Sequence, residues 1–240
     1  MSGAPSRRLR IAAVTGARPE QPAAPPLRLV SALSAAGRVA RVEGLAADAA
    51  LVHDLRLPGI GGRYLAGVAA HAHGRGWEPA EVAALIDAVE LRSAMWIVAP
   101  SAGPLRRAGL IESGRGPRRS CARWCGERWA AVRLDERSLA AVARSGGGRA
   151  MCASAVSGVG APQGVVEAVR GAGVRSGTFA TGLAGALAVR WTVELLVAPA
   201  LPGGSMMALR ERIAAASRCG WCGVPMLGTT CRRCDAAARR

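Results

Sequence analysis

The sequence predicts a mainly α-helical protein with a small β-hairpin wing and a short C-terminal module, and three observations support this fold class. Apolar residues make up 50% of the 240-residue chain, which is enough to bury a core. Alanine-rich stretches place apolar residues three and four positions apart, as amphipathic helices do. Few stretches alternate as strands do, and the one β-hairpin that we expect lies near residues 110–133.

Composition predicts four segments along the chain. Residues 1–26 end in "RPEQPAAPP" and predict a flexible basic arm. Residues 27–145 predict a helical domain with a winged-helix-like element, and its clearest helix covers "EPAEVAALIDAVELRSAMW", where proline occupies the first turn. Residues 150–200 predict a further helical segment. Residues 205–240 predict a last helix followed by a module that contains four cysteines.

The charge of the chain is strongly positive and unevenly distributed. The formal net charge is +16, and every basic residue other than histidine is an arginine. Residues 101–134 hold eight arginines against two acidic residues, and residues 205–240 hold seven against two. A folded protein this basic attracts polyanions, nucleic acid first and anionic membranes second.

The most apolar long window, residues 178–201, predicts a core helix and not a membrane span. Arg190 and Glu194 interrupt this window, and a bilayer would have to bury both charges. Near the N-terminus the apolar run from Ile11 to Val14 is too short for a signal peptide. We therefore expect a cytoplasmic protein without a membrane partner, whose cysteines are thiols or metal ligands.

The C-terminal cysteines form two Cys-x2-Cys pairs separated by eight residues: Cys219, Cys222, Cys231 and Cys234. Two such pairs can surround one tetrahedral Zn²⁺ with four thiolates. Gly223 follows the second cysteine, and "CGWCG" resembles the knuckle turn of zinc-ribbon modules, a resemblance that covers only residues 219–234. It implies one structural Zn²⁺ that builds structure and activates no water. An iron–sulfur cluster and a redox-active pair are the alternatives.

Three further stretches resemble DNA-binding motifs, and each also has a plain structural explanation. "LRLPGIGGRYLAGVAAHA" (residues 55–72) resembles a helix-hairpin-helix, whose turn would offer backbone amides to a DNA phosphate. "PLRRAGLIESGRGPRRSCARW" (residues 104–124) resembles the end of a winged helix with its basic wing. "VVEAVRGAGVRSGTFATGLAGAL" (residues 165–187) resembles a helix-turn-helix. The plain explanations are a glycine turn between helices, a solvated basic loop and a pair of core helices.

Charge and cysteine spacing together predict a nucleic-acid-binding protein, with duplex DNA as the expected partner. A bacterial regulator or a plasmid or phage accessory protein would fit this description. Its affinity would come from arginine–phosphate contacts, so binding should weaken steeply with salt. The candidate phosphate-binding residues are Arg115, Arg118, Arg119, Arg123, Arg232 and Arg233.

Two other functions remain open at this point. The first is an enzyme that acts on nucleic acid and grips the backbone with the helix-hairpin-helix-like turn. The second is an assembly component that docks on a protein partner through its zinc module. The sequence contains no P-loop, Rossmann fingerprint or nucleophile elbow, so it names no catalytic residue and leaves the question of enzyme activity open.

Overall fold

The computed structural model describes nine parts of the chain: residues 12–14, 27–31, 51–111, 121–126, 128–132, 150–170, 182–201, 203–220 and 223–231. Within them the chain forms two β-sheets and six helices. The fold is therefore α/β, and the prediction of a mainly α-helical protein is wrong. The division into four segments remains a prediction.

A small sheet comes first in the chain. Its strands are β1 (Ala12–Val14), β2 (Leu27–Ser31) and β3 (Leu51–Leu55). β1 runs antiparallel to β2, and β2 runs parallel to β3. Two helices follow β3 directly, α1 (Gly59–Gly74) and α2 (Pro79–Leu91). The backbone N–H of Glu78 donates to Glu81 Oε2 at the start of α2, which fixes the first turn of that helix.

The larger sheet has five strands and supports the rest of the described fold. They are β4 (Ala94–Val98), β5 (Cys121–Cys125), β6 (Arg128–Ala131), β7 (Ala150–Gly158) and β8 (Trp191–Pro199). Their order is β6-β5-β4-β8-β7, and each neighbouring pair is antiparallel.

Four shorter helices connect or follow these strands. They are α3 (Ala102–Arg107), α4 (Gln163–Arg170), α5 (Leu183–Ala186) and α6 (Gly203–Ala214). Among the residues that the structure describes, none of the helices is long and apolar enough to cross a bilayer.

Burial explains why the sequence pattern did not predict β8 as a strand. β8 lies at an inner position of the sheet, and its sequence "WTVELLVAP" is buried along most of its length. A strand covered on both faces needs apolar residues at every position, so it loses the alternation that identifies a strand. The sequence of residues 191–199 consequently resembles part of a core helix. These residues form β8, which has nine residues and is as long as β7.

The two faces of the five-stranded sheet differ in what they pack against. Side chains alternate along each strand, so Met95 and Leu196 lie on one face while Trp96 and Leu195 lie on the other. The first face joins the main core with α1, α2 and α6, and we call it the helix face. The second face carries a separate, smaller cluster with Arg123 at one side, and we call it the arginine face.

Buried polar side chains on or near the helix face hold the starts of helices. Glu194, fully buried on β8, accepts a hydrogen bond from the backbone N–H of Ile60 at 2.7 Å. Ser157 Oγ accepts one from the N–H of Ala184 at 3.2 Å, in the first turn of α5. A helix start has backbone donors without intrahelical acceptors, and these side chains supply the acceptors. Sheet and helices are thereby locked to each other by buried hydrogen bonds.

Candidate functional site

The helix-hairpin-helix-like turn has its amides engaged inside the protein. Glu90 Oε1 accepts from the N–H groups of Arg56 at 2.6 Å and Leu57 at 2.9 Å. Glu194 Oε2 accepts from Ile60, and Gly59 lies so close that a Cβ there would collide with this carboxylate. The turn therefore binds the protein's own carboxylates where the motif would bind phosphate. The structure supports the plain explanation, a glycine turn that leads into a helix.

The predicted winged helix is also wrong. α3 leads to Leu110 and Ile111, whose side chains are buried in the main core. β5 and β6 do form a hairpin, but it belongs to the edge of the five-stranded sheet and does not project as a wing. The predicted wing residues Arg115, Arg118 and Arg119 lie outside the described residues.

The helix-turn-helix prediction fails because its second element is part of the core. Residues 165–187 include most of α4 and all of α5. Leu183 and Leu187 are buried in the main core, so the end of this stretch presents no helix surface to a DNA groove. Residues 171–181, which contain the predicted turn, lie outside the described residues.

The predicted zinc-ribbon module and its structural Zn²⁺ are corrected as well. Within the described residues, no group of three or more His, Cys, Asp or Glu side chains is placed to hold a metal ion. Cys219 and Cys231 are buried there, whereas Cys222, Cys234 and the neighbouring Arg232 and Arg233 lie outside the described residues. What closes the described turn is backbone hydrogen bonding: Cys219 N–H donates to Val224, and Gly223 N–H donates to Cys219.

Two described arginines of the C-terminal region, Arg210 and Arg218, contact the protein itself. Arg210 on α6 lies over the Trp77 ring, 5.4 Å from its centroid, and donates to the carbonyl of Gly76 at 3.2 Å and to Glu81 at 3.4 Å. These contacts attach α6 to the start of α2. Part of the positive charge in residues 205–240 thus has a structural use.

Arg123 is the one predicted site residue that the structure describes, other than Cys219 and Cys231, and it lies on the arginine face. The register of β4 and β5 places Arg123 directly opposite Trp96. Its guanidinium carbon lies over the Trp96 ring, 4.8 Å from the centroid. A cation in this position is attracted by the electron-rich ring face and loses water on that side. Arg123 is therefore a half-buried cation on a face of the sheet, and its role in phosphate binding remains a prediction.

The surroundings of Arg123 are apolar. Arg123 belongs to a row of side chains across the strands, which continues through Trp96 and Leu195 to Ser154 on β7. The next row along the strands consists of Cys121, Val98, Val193 and Val156. α4 adds Val165 and Val166 to the cluster. Strands lie about 4.8 Å apart, so these mostly apolar rows extend over about 14 Å from β5 to β7.

The hydrogen-bonding capacity of Arg123 is incompletely used. Its Nε atom is buried and has no hydrogen-bond partner in the part of the chain that the structure describes. Two ion pairs in that same part join Arg210 to Glu81 and Arg218 to Glu78, and neither involves Arg123. A buried donor on a charged group costs free energy when it has no acceptor. An anionic ligand that reaches this atom would remove that cost.

Cys121 sits beside Arg123 on the same strand and face. Burial raises the pKa of its thiol to about 12, and the positive charge of Arg123 partly opposes that rise. The thiol is consequently neutral at neutral pH and does not neutralise Arg123. The cluster thus combines the positive charge of Arg123, which Cys121 does not balance, with apolar walls.

Trp96 and the apolar rows are the parts of this site that sequence reasoning missed. The available signals were "AMWIV" and "CARWC", two short segments rich in strand-forming residues. Pairing them requires the strand register, which neither segment specifies alone.

The fold has counterparts among solved structures, although no protein-family model and no characterised relative matches the sequence. A DegV-family protein from Corynebacterium glutamicum is 15% identical with a TM-score of 0.47, over 78% of this chain and 88% of that one. A fatty-acid-binding DegV-family protein from Thermus thermophilus is 13% identical with a TM-score of 0.49, over 72% and 79%. A stearic-acid-binding protein from Eubacterium ventriosum is 12% identical with a TM-score of 0.46, over 68% and 64%. This likeness is one of fold.

The predicted nucleic-acid-binding function and DNA partner are wrong. In this molecule the described part of the helix-hairpin-helix-like stretch is a turn bound by carboxylates, that of the winged-helix-like stretch lies at a sheet edge, and that of the helix-turn-helix-like stretch packs in the core. Arg123 lies over the Trp96 ring on an apolar face of the five-stranded sheet.

Proposed function

We propose that this chain binds a long-chain amphiphile with an anionic head group. The head group lies at Arg123, and the alkyl chain follows the apolar rows of the arginine face. The observation that carries the proposal is the buried Nε of Arg123, which has no partner among the described residues although the side chain is stacked on Trp96 in an apolar cluster.

The composition of the arginine face supports an alkyl chain as the body of the ligand. Val98, Val156 and Val197 are half-buried on this face, beside fully buried Val193 and Leu195. Each methylene buried against such a surface contributes about 0.8 kcal/mol. Affinity should therefore rise with chain length until the face is filled.

A fatty acid is the first ligand to test. It supplies a negative charge and a long apolar chain, which match Arg123 and the two apolar rows. It is also the ligand named for the proteins from Thermus thermophilus and Eubacterium ventriosum. The proposal itself rests on the contacts of Arg123.

The test is direct binding of stearate to delipidated protein, by native mass spectrometry and by displacement of a fluorescent fatty acid. Arg123→Met keeps the length and apolar stem of the side chain but removes its charge and donors. We expect at least a tenfold loss of stearate affinity, because the head group loses the charge and the donors of Arg123. Arg63→Met, at an exposed position of α1, is the matched control and should bind as the wild type does.

Equal stearate affinity in the wild type, Arg123→Met and Arg63→Met would overturn this site assignment. The absence of stearate binding by the wild type would overturn the function itself. The cytoplasmic location predicted from the sequence belongs to the same proposal, and it is supported by Cys121, which is a buried thiol and not half of a disulfide.

A further inference from the structure

β7 is an edge strand without the features that normally block an edge. It has nine residues and lies at one end of the five-stranded sheet, where β8 is its one neighbour among the described strands. Its sequence, "AMCASAVSG", contains no charged residue and no proline. Natural proteins block exposed edges with lysine, proline, a bulge or a very short strand, because unpaired edge groups pair with other chains. The composition of β7 therefore predicts a strand that receives a further partner.

The opposite edge of the same sheet has the usual protection. β6 is only four residues long and begins with a charged residue, Arg128. A strand this short offers few backbone groups to a partner, and two copies of it would bring like charges close together. Between the two edges, β7 is the one suited to pairing.

The register of β7 shows which of its backbone groups point away from β8. Directly after the strand, the N–H of Val159 donates to the carbonyl of Arg190 at 2.9 Å. Along an antiparallel pair, residues that hydrogen-bond to their partner alternate with residues that do not. Ala155 and Ser157 therefore bond to β8. The backbone N–H and C=O groups that point outward belong to the alternate residues Ala150, Cys152, Ser154, Val156 and Gly158.

The charge around β7 indicates which partner fits this edge. The described segments that contain β7, α4, α5 and β8 are residues 150–170 and 182–201. Each segment holds one arginine and one glutamate, so neither has a net charge, whereas the whole chain carries +16. An acidic partner would be attracted to the basic segments elsewhere, and two basic copies repel each other least where neutral elements meet. A second copy of the chain is thus the partner that suits this edge.

We propose that β7 pairs antiparallel with β7 of a second copy, so that two five-stranded sheets form one continuous sheet across a twofold axis. Antiparallel pairing of two identical strands is symmetric, so the outward groups of each copy meet those of the other. In a register centred on Ser154, the uncharged side chains of the two strands lie opposite one another. This surface is independent of the ligand proposed for Arg123.

The first experiment measures the mass of the full chain, treated with nuclease, by sedimentation equilibrium over a dilution series. We expect twice the mass of one chain at high concentration and dissociation on dilution. Added salt should tighten the dimer, because it screens the repulsion between two basic copies. Two copies bridged by residual nucleic acid would instead separate as salt is added.

Val156→Pro tests the edge itself. It removes an outward N–H but no hydrogen bond to β8, and edge strands accept proline at such positions. The dissociation constant of the dimer should rise at least about tenfold, because the symmetric contact loses this donor from both copies. Ala102→Pro, at the first position of α3, is the matched control and should leave the dissociation constant unchanged. Circular dichroism establishes that both variants are folded.

A second readout uses the wild type alone and does not depend on how the proline variant folds. Amide hydrogen exchange followed by NMR should show slow exchange of the Ser154 and Val156 N–H groups in the dimer, and exchange at least about tenfold faster after dilution. The N–H groups of Ala153 and Ala155, which bond to β8, should exchange slowly at both concentrations.

Three results would overturn the proposal. The first is a monomer at every concentration, and the second is a dimer whose dissociation constant a folded Val156→Pro variant does not change. The third is slow exchange of the Ser154 and Val156 amides in the monomer, because the chain itself would then cover this edge.

Discussion

The two faces of one sheet treat their polar groups differently. On the helix face, Glu194 and Ser157 are buried and hydrogen-bonded to the starts of α1 and α5. On the arginine face, Arg123 is half-buried and its Nε has no partner in the described part of the chain. The first arrangement stabilises the fold, whereas the second is costly unless something else completes it. The difference indicates where a ligand would bind: at the charged group that has no hydrogen-bond acceptor in the described part of the fold.

The two faces differ in the charge of the polar group that is left without a hydrogen-bond partner, and not in whether every polar group has one. The helix face also contains neutral groups without a described partner, Thr192 Oγ1 and Trp124 Nε1. A neutral unpaired group costs about 1–3 kcal/mol, and a charged one costs more. The comparison can therefore be tested by changing side chains on the helix face and measuring stability, starting with the largest expected effect.

Glu194→Ala should cause the largest loss of stability. It removes the acceptor of the Ile60 N–H and leaves a hole in a fully buried position. The free energy of unfolding should fall by about 3 kcal/mol, as measured by urea denaturation followed by circular dichroism. Glu211→Ala, at an exposed position of α6, is the control and should change it by less than about 0.5 kcal/mol. A loss no larger than that of the Glu211→Ala control would contradict the conclusion that the buried polar groups of the helix face stabilise the fold.

Two glycines of α1 sharpen the same point. Gly59 has φ of +55° and no room for a Cβ beside Glu194, so Gly59→Ala should lower the free energy of unfolding by about 2 kcal/mol or more. Gly67 lies in the middle of the same helix with open space around it, so Gly67→Ala should raise it by about 0.5–1 kcal/mol. Thermal and urea unfolding measure both variants. If Gly59→Ala and Gly67→Ala change the free energy of unfolding in the same direction, the close approach of Gly59 to Glu194 is contradicted.

The smallest expected effects come from two hydroxyl groups that face each other across β7 and β8. Ser157 pairs in register with Thr192, but only Ser157 has a described hydrogen bond, from the Ala184 N–H. Ser157→Ala should destabilise the fold by about 1 kcal/mol, and Thr192→Val should stabilise it by a similar amount. Urea midpoints of both variants check this pair, and a destabilised Thr192→Val would mean that its hydroxyl has a partner after all.

The sequence predicted local features better than long-range ones. The helix within "EPAEVAALIDAVELRSAMW" exists as α2, because proline and the acidic residues at its start act within a single turn. That helix ends at Leu91, and the rest of the quoted stretch enters β4, which apolar spacing alone did not reveal. Glu194 marked a break in an apolar window, but its meaning depends on Ile60, which folding brings from far away in the chain.

The candidate site was partly visible in the sequence. Arg123 stood out as one of several arginines in a basic segment, which suggested phosphate binding. Its actual environment comes from Trp96 on a different strand, and strand register decides that contact. Net charge indicates that a protein attracts anions, but only burial shows which arginine is held in apolar surroundings.

The most direct test of the central claim measures stability and binding in the same variant. Arg123→Met should leave the free energy of unfolding of ligand-free protein unchanged or raise it by up to about 1 kcal/mol, because it removes a buried donor without a partner. In the same variant, the rise in melting temperature that stearate causes in the wild type should disappear. A variant that unfolds more easily and still gains full stabilisation from stearate would show that Arg123 serves the fold and not the ligand.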